Sequence, residues 1–274
     1  MSDPIRANNH LWDVWTGVHL ESPFYDVASF KDGTRPIRLA EHEREEIGPV
    51  DGRTLLHLQC HFGLDTLSWA RLGATVTGAD FSEPAVEAAR ALAAELGIPA
   101  RFVRSDLYDL PAALQSTFDI VYTSRGVLGW LPDIRRWAAV AAHFVAPGGT
   151  FYITEIHPVA SVFLESGVAP GELRLGYPYW DHPDRPLRFD VSGSYADRDA
   201  PTGPLVEHGW DHSLGEIVTS LIEAGLVIDS LREYDFCAWQ LDYLVQSPDG
   251  RWRLPADSGG ELPLFFSLRA HKPG

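Results

Sequence analysis

The sequence predicts an α/β fold, a doubly wound sheet carrying helices on both faces. Three observations predict it. Residues 54–80, TLLHLQCHFGLDTLSWARLGATVTGAD, read as strand, helix, strand. Short apolar runs recur at 100–105, 118–123 and 150–155, separated by helical stretches, which is the alternation expected of such sheets. The chain has 274 residues, 45% hydrophobic and 22% charged, enough for one large α/β domain with an insertion.

Residues 1–50 precede the first strand. His10, Leu11, Trp12, Val14, Trp15 and Val18 mark a short amphipathic helix, broken at Pro23. A second helix, 39–47, is closed by Gly48 and Pro49. Trp12 and Trp15 either cover a sheet edge or close over a ligand. Tyr25 and Arg38 can each reach a carboxylate or a nucleoside edge; a solvated helix-end charge is the alternative for Arg38.

The unit at 54–80 follows. Residues 54–59 form a buried strand and 60–63 a tight connection. Leu64, Leu67, Trp69, Ala70 and Leu72 recur at helical spacing until Gly73 stops them. A second strand ends at Asp80. A helix that starts at a crevice offers free N–H groups to a ligand. An acid at the second strand's tip is placed to accept hydrogen bonds from two ribose hydroxyls. The unit therefore reads as a nucleoside site.

Ser82 caps the next helix, Pro84 suits its first turn and Gly97 ends it. The third strand, 100–105, is followed by Asp106, and the fourth, 118–123, by Ser124, Arg125 and Gly126. A helix spans 134–144, and the fifth strand, 150–155, leads into His157. His157 lies on the side where such sheets bind ligands, which makes it the candidate general base; a loop histidine bonded to backbone is the alternative. Glu155 reads as structural.

Residues 159–208 change character. Prolines recur, Tyr177, Tyr179, Trp180, Phe189 and Tyr195 cluster, and no helical period persists. So long a segment without structure would be unusual, so it reads as an inserted cap, with Tyr179 and Trp180 facing a pocket. Aromatic walls suit a flat or cationic substrate. Thereafter 206–211 is a strand, Ser213 caps a helix over 214–224, and 226–233 and 262–270 complete the sheet. The expected division is 1–50 leading helices, 51–158 core, 159–208 cap, and 209–274 completion of the core sheet.

The formal charge is −16, with 22 basic residues against 38 acidic ones. Such a field repels polyanions, so a nucleic-acid partner is not expected and a small or cationic substrate is favoured. No apolar run is long enough to span a membrane, and no signal pattern opens the chain. Cys60 and Cys237 make neither a metal spacing nor a disulfide framework, so a cytoplasmic setting without a metal is expected. Oligomeric state is not legible.

Taken together, these segments resemble a class I S-adenosylmethionine (SAM)-dependent methyltransferase of the small-molecule type. The family's first motif is an acid followed by three alternating glycines. His57, Gln59, His61 and Gly63 stand at those positions, so only the last glycine matches. Asp80 matches the ribose-binding acid. Ser105, Asp106 and Leu107 match the segment whose acid contacts the adenine amino group. Ala146, Pro147, Gly148 and Gly149 match the turn before the fifth strand. The resemblance spans residues 54–155 in order and spacing.

It implies a seven-stranded Rossmann-like methyltransferase sheet with the last strand antiparallel between the fifth and sixth, an N-terminal helical lid, and the cap folded over the methyl group. It implies SAM as cofactor, with Gln59, His61, Gly63, Asp80, Phe81, Asp106, Leu107 and Ser124 in its path and Trp130 beside the substrate. The reaction would be in-line transfer to a small N, O, S or C nucleophile. Two other functions fit parts of the sequence. A non-catalytic SAM sensor suits the degenerate first motif. An NAD(P)-dependent oxidoreductase suits Asp80, but not the matches at Asp106 and 146–149.

Overall fold

The computed structural model describes residues 2–180, 182, 185–258 and 261–274. Its centre is a seven-stranded sheet built from β1 (Thr54–Leu58), β2 (Thr75–Asp80), β3 (Ala100–Arg104), β4 (Phe118–Thr123), β5 (Val145–Ile156), β8 (Val227–Tyr234) and β11 (Phe265–His271). The spatial order is β3-β2-β1-β4-β5-β11-β8. The first five strands run parallel, and β11 is antiparallel to both β5 and β8. This is the expected seven-stranded Rossmann-like sheet. Its order reverses between β1 and β4, so a crevice opens beyond those strand tips.

Helices cover both faces because each has an apolar stripe. α4 (Leu64–Arg71) buries Leu67 and Trp69, and α7 (Ile134–Phe144) buries Ile134, Trp137, Ala138, Ala141 and Phe144. Asp133 caps α7 by accepting from the Arg136 N–H. α5 (Glu83–Leu96) is capped by Ser82 and stopped by Gly97, as the residues require. α6 (Leu110–Ala113) is a single turn, and α8 (Leu214–Glu223) packs on α7 beneath the antiparallel half.

Several boundaries differ from the sequence reading. α1 runs over Asp3–Glu21, longer than the His10–Val18 stripe, because Pro4 opens a helix whose first turns are largely polar. α2 (Val27–Asp32) has no sequence counterpart. Asp26 caps it from a left-handed backbone, and six residues are too few for a period. α3 (Glu41–Ile47) matches. β5 starts at Val145 rather than Thr150, so the segment at 146–149 belongs to the strand, and the Gly148 N–H donates to the Lys272 carbonyl.

The segment 159–208 packs its ends into the body of the protein, with Ala160, Val162 and Phe163 in one buried apolar cluster and Leu205 in another. Among the described residues it holds a 3-10 turn at Ala160–Val162 and a hairpin-like pair formed by β6 (Leu187–Val191) with β7 (Leu205–Gly209). That pair is braced by α1. The Asn8 side chain donates to the His208 carbonyl and accepts from the His208 N–H, both at 2.8 Å. Leu11, Trp15 and Leu205 form a shared apolar cluster there. A short antiparallel pair, β9 (Val245–Gln246) with β10 (Trp252–Arg253), follows the sixth sheet strand in sequence. Among the described residues, no helix is long and apolar enough to cross a membrane.

Candidate active site

Beyond the tips of β1, β4 and β5 lies a cavity of about 1020 Å³. One end is lined by the loop after β1 and the other by the 159–208 segment. Such a volume suits a cofactor and a small molecule together.

The loop after β1 sets the first end. Gln59 and His61 have φ of 55° and 50°, left-handed values that glycine adopts freely and other residues hold at a cost. They stand where the family has glycine, so the loop keeps the conformation without the residue. Asp80 holds it in place. One carboxylate oxygen accepts from the His61 N–H at 2.8 Å and the other from the Ser82 N–H at 2.9 Å. Burial nevertheless pushes the Asp80 carboxyl up to about 6. Gly63 is left-handed too, and a Cβ there would strike the Phe102 ring at 2.8 Å, so no larger residue fits.

His57 is fully enclosed. Its ring nitrogens bond the hydroxyls of Thr66 (2.8 Å) and Ser124 (2.9 Å). Burial, with Arg125 adding to it, lowers its pKa to about 3, so the ring is neutral. Arg125 is shared by two carboxylates. It donates to Glu43 at 3.2 Å and to Asp65 at 3.0 Å, and the Tyr122 hydroxyl also donates to Glu43. Burial raises the Asp65 carboxyl to about 6 despite Arg125.

Glu155, at the end of β5, shapes the loop after β4. It accepts four backbone N–H bonds, from Gly126, Val127, Leu128 and Ile156. Trp130, whose indole N–H donates to the Gly126 carbonyl, is thereby fixed on the cavity wall. The far end is lined by Tyr177, Tyr179, Phe189, Trp210 and Trp239, with Glu165 and Glu207 among them. Burial, helped by Glu165, pushes Glu207 up to about 7.

The cavity brings together seven of the residues expected at the site: Gln59, His61, Gly63, Ser124, Tyr25, Trp130 and Tyr179. Tyr25 shares a hydrogen bond with Tyr195 of the inserted segment, and His19 of α1 bonds His61 at 2.8 Å. Three parts of the chain thus meet over the first loop.

Six expected residues do not line the cavity. Asp80, Phe81, Asp106 and Leu107 stand at the tips of β2 and β3, outside it. Asp106 accepts from the Tyr108 N–H, the Phe81 carbonyl accepts from Asn9, and Leu107 joins the main apolar core. His157 is a correction. Its Nδ1 accepts from the Val159 N–H and its Nε2 lies 2.9 Å from Glu233, so the ring is committed away from the cavity. Trp180 is a second correction, being 71% exposed to solvent. Sequence reasoning missed Asp65, Glu165 and Glu207 as lining residues. Asp65 fills an ordinary polar position of an amphipathic helix, and the other two flank a segment without period.

Among the described residues, no group of three or more His, Cys, Asp or Glu is placed to hold a metal ion. The amino-acid end of SAM suits the first end of the cavity. Gln59 Oε1, Arg38 Nη1 and Arg125 Nε are buried polar atoms without a hydrogen-bond partner, all on residues that line it.

The family described as "Methyltransferase domain" matches residues 55–149. A ubiquinone biosynthesis O-methyltransferase from Cronobacter sakazakii is 30% identical over 164 residues, 59% of this chain and 67% of that protein. The chain belongs to the class I SAM-dependent methyltransferases. Other such O-methyltransferases, from Proteus mirabilis and from a Methylobacterium, match at 30% and 32% identity over 44% of this chain, and this methyltransferase spans about half of their length. A SAM-dependent methyltransferase from Mesorhizobium loti shares the fold at 22% identity, with a TM-score of 0.56 over 84% of this chain and 95% of its own. The glycopeptide N-methyltransferase MtfA, complexed with SAM, does so at 17% identity and a TM-score of 0.53 over 85% and 92%.

Proposed function

We propose that this methyltransferase moves a methyl group from SAM to a small molecule held beneath the 159–208 segment. One observation carries the reading. A single cavity is lined both by the loop after β1 and by the aromatic residues of the insertion. When bound, SAM supplies a methyl carbon already activated by a sulfonium, so the protein's task is to position the acceptor and manage its proton. Positioning alone can supply on the order of 7–11 kcal/mol.

Ser124, Gln59 and the left-handed loop are the contacts we assign to the donor's central part. Asp80 and Asp106 we assign to the nucleoside, at the tips of β2 and β3, with α1 lying over it. The 159–208 segment acts as a cap that excludes water, fastened through Tyr195 to Tyr25 and through β7 to α1.

The acceptor end combines aromatic rings with Glu165 and Glu207. That chemistry favours an amine, whose charge the carboxylates offset and whose cation the rings attract. An amine must shed a proton before its lone pair can attack, and Glu207, titrating near neutrality, is the group we assign to take it. A phenolic oxygen is the second reading, favoured by the similarity to ubiquinone O-methyltransferases. The buried free cysteines Cys60 and Cys237 fit a reducing, cytoplasmic setting.

The test is a thermal-shift comparison of S-adenosylhomocysteine with NAD and NADP, followed by mass detection of methylated products from amine and phenol panels. Stabilisation by S-adenosylhomocysteine with a methylated amine is the expected result. Stabilisation by a nicotinamide dinucleotide alone overturns the reading. Stabilisation by S-adenosylhomocysteine with no methylated product from either panel favours a sensor.

A further inference from the structure

A chain of hydrogen bonds runs from the loop after β1 to the cavity wall. The Cys60 thiol donates to the His61 carbonyl at 3.5 Å. The Thr66 hydroxyl donates to the Cys60 sulfur. The His57 ring joins Thr66 Oγ1 through Nδ1 at 2.8 Å and Ser124 Oγ through Nε2 at 2.9 Å. Ser124 is half-buried and lines the cavity. The direction of the chain is set at its buried end. A carbonyl oxygen only accepts, so the thiol spends its proton on His61 and the Thr66 hydroxyl spends its own on the sulfur. Thr66 Oγ1 then accepts from His57, which carries its proton on Nδ1. Burial keeps the ring neutral, so Nε2 has no proton and accepts from Ser124. Ser124 has given away its one proton and meets the cavity with lone pairs alone.

Gln59, which lines the same cavity, has the same polarity. Its Nε2 donates to the Val127 carbonyl at 3.2 Å, and its Oε1 is buried without a hydrogen-bond partner. A buried acceptor left unpaired is costly, so a ligand donor there is favoured. Both residues belong to the part of the cavity assigned above to the donor's central part. A sulfonium there has carbon substituents and no N–H or O–H to give. The group that can supply polar hydrogens at that place is the incoming nucleophile, and a neutral primary amine carries two.

We propose that His57 is a positioning residue that keeps Ser124 an acceptor, and that Ser124 and Gln59 together select the methyl acceptor by its N–H groups. This rests on the reading of that acceptor as an amine. With its hydrogens held by two oxygens, the nitrogen keeps its lone pair for the methyl carbon. The N–C bond forms as the C–S bond yields its electron pair to sulfur, and the product leaves as an ammonium. A tertiary amine has no N–H to give. Successive methylation therefore ends at the dimethylamine, and no quaternary ammonium accumulates.

Nitrogen NMR of the histidine side chains tests the chain in the wild-type protein without any ligand. His57, assigned by through-bond correlation, should show a protonated Nδ1 and a bare Nε2; the opposite tautomer overturns the proposal. Mass detection then follows the primary, N-methyl and N,N-dimethyl forms of phenethylamine, benzylamine and tryptamine. Each N–H lost should lower kcat/KM about tenfold, so that the dimethylamine is the final product. Ser124→Ala should lose about tenfold on the primary amine and bind S-adenosylhomocysteine within about twofold of the wild type, and Ser124→Thr, which keeps the hydroxyl, should restore the loss. A quaternary product formed as fast as the monomethyl one, or unchanged turnover in Ser124→Ala, overturns the proposal. If Ser124→Ala does not fold, the wild-type tautomer and product series decide. No product from any of these amines, with S-adenosylhomocysteine still bound, overturns the amine reading itself, a result distinct from a wrong tautomer.

Discussion

Gln59 and His61 hold backbone conformations that cost roughly 1–2 kcal/mol for residues with a Cβ. Gln59→Gly should therefore be about 1 kcal/mol more stable than Gln59→Ala in chemical denaturation, since both lose the side chain and only one keeps the strain. Equal stabilities would mean that the loop relaxes in the alanine variant. Asp80→Ala should weaken S-adenosylhomocysteine more than about tenfold, because it frees the His61 and Ser82 N–H groups as well as removing the proposed ribose acceptor. Unchanged affinity would remove Asp80 from the nucleoside site. His157→Ala should lower the melting temperature and leave S-adenosylhomocysteine affinity unchanged, since its ring is engaged with Val159 and Glu233. At this scale the sequence was only half legible. Gln59, His61 and Gly63 could be placed by motif position. His157 could not, because a residue number fixes which strand tip a side chain follows but not which way its ring turns.

Glu155 shows how an element's end can organise its neighbour. Placed on the last residues of β5, it gathers four N–H groups, three of them from the loop after β4. Glu155→Gln would point an amide N–H₂ at backbone donors. The expected cost is about 2–3 kcal/mol of folding stability by denaturant titration, with weaker ligand binding as Trp130 loses its fixed place. A loss below 0.5 kcal/mol, on the order of an ordinary surface change, would show that the loop holds itself. The strands and the capped helices were readable because burial and capping are local in sequence. α2 was not, being a six-residue helix capped by a strained Asp26. Within the insertion, Tyr179 reaches the cavity and its neighbour Trp180 does not. Contacts between residues far apart in sequence, such as the bracing of β7 against α1 across 200 positions and the Trp15 indole N–H donating to the Gly193 carbonyl, fix how that segment lies.

The whole molecule carries a formal charge of −16 and also buries carboxylates, and the two features have a common consequence for pH. Glu207 moves from an ordinary 4.5 to about 7 on folding, so the folded state holds its proton more tightly. The stability this gives is complete below about 4.5 and is lost as pH rises through about 7. Glu207→Gln cannot ionise, so its melting temperature should gain on the wild type as pH rises from 6 to 8, a window chosen around that value. A constant difference across that range would mean that Glu207 titrates normally. On the acid side His19 and His57, held neutral by burial down to about 3, act in the opposite sense, and their contribution is lost as pH falls below 6.5.

The position of β11 has one more implication. It is the last strand of the sheet to be made, yet it lies between β5 and β8 rather than at an edge. While the chain emerges from a ribosome, β8 has no partner and β5 presents an open, apolar flank. The nascent protein must therefore stay unsealed, and exposed to chaperones or to sticking, until the 7 residues of β11 that close the gap have cleared the exit tunnel.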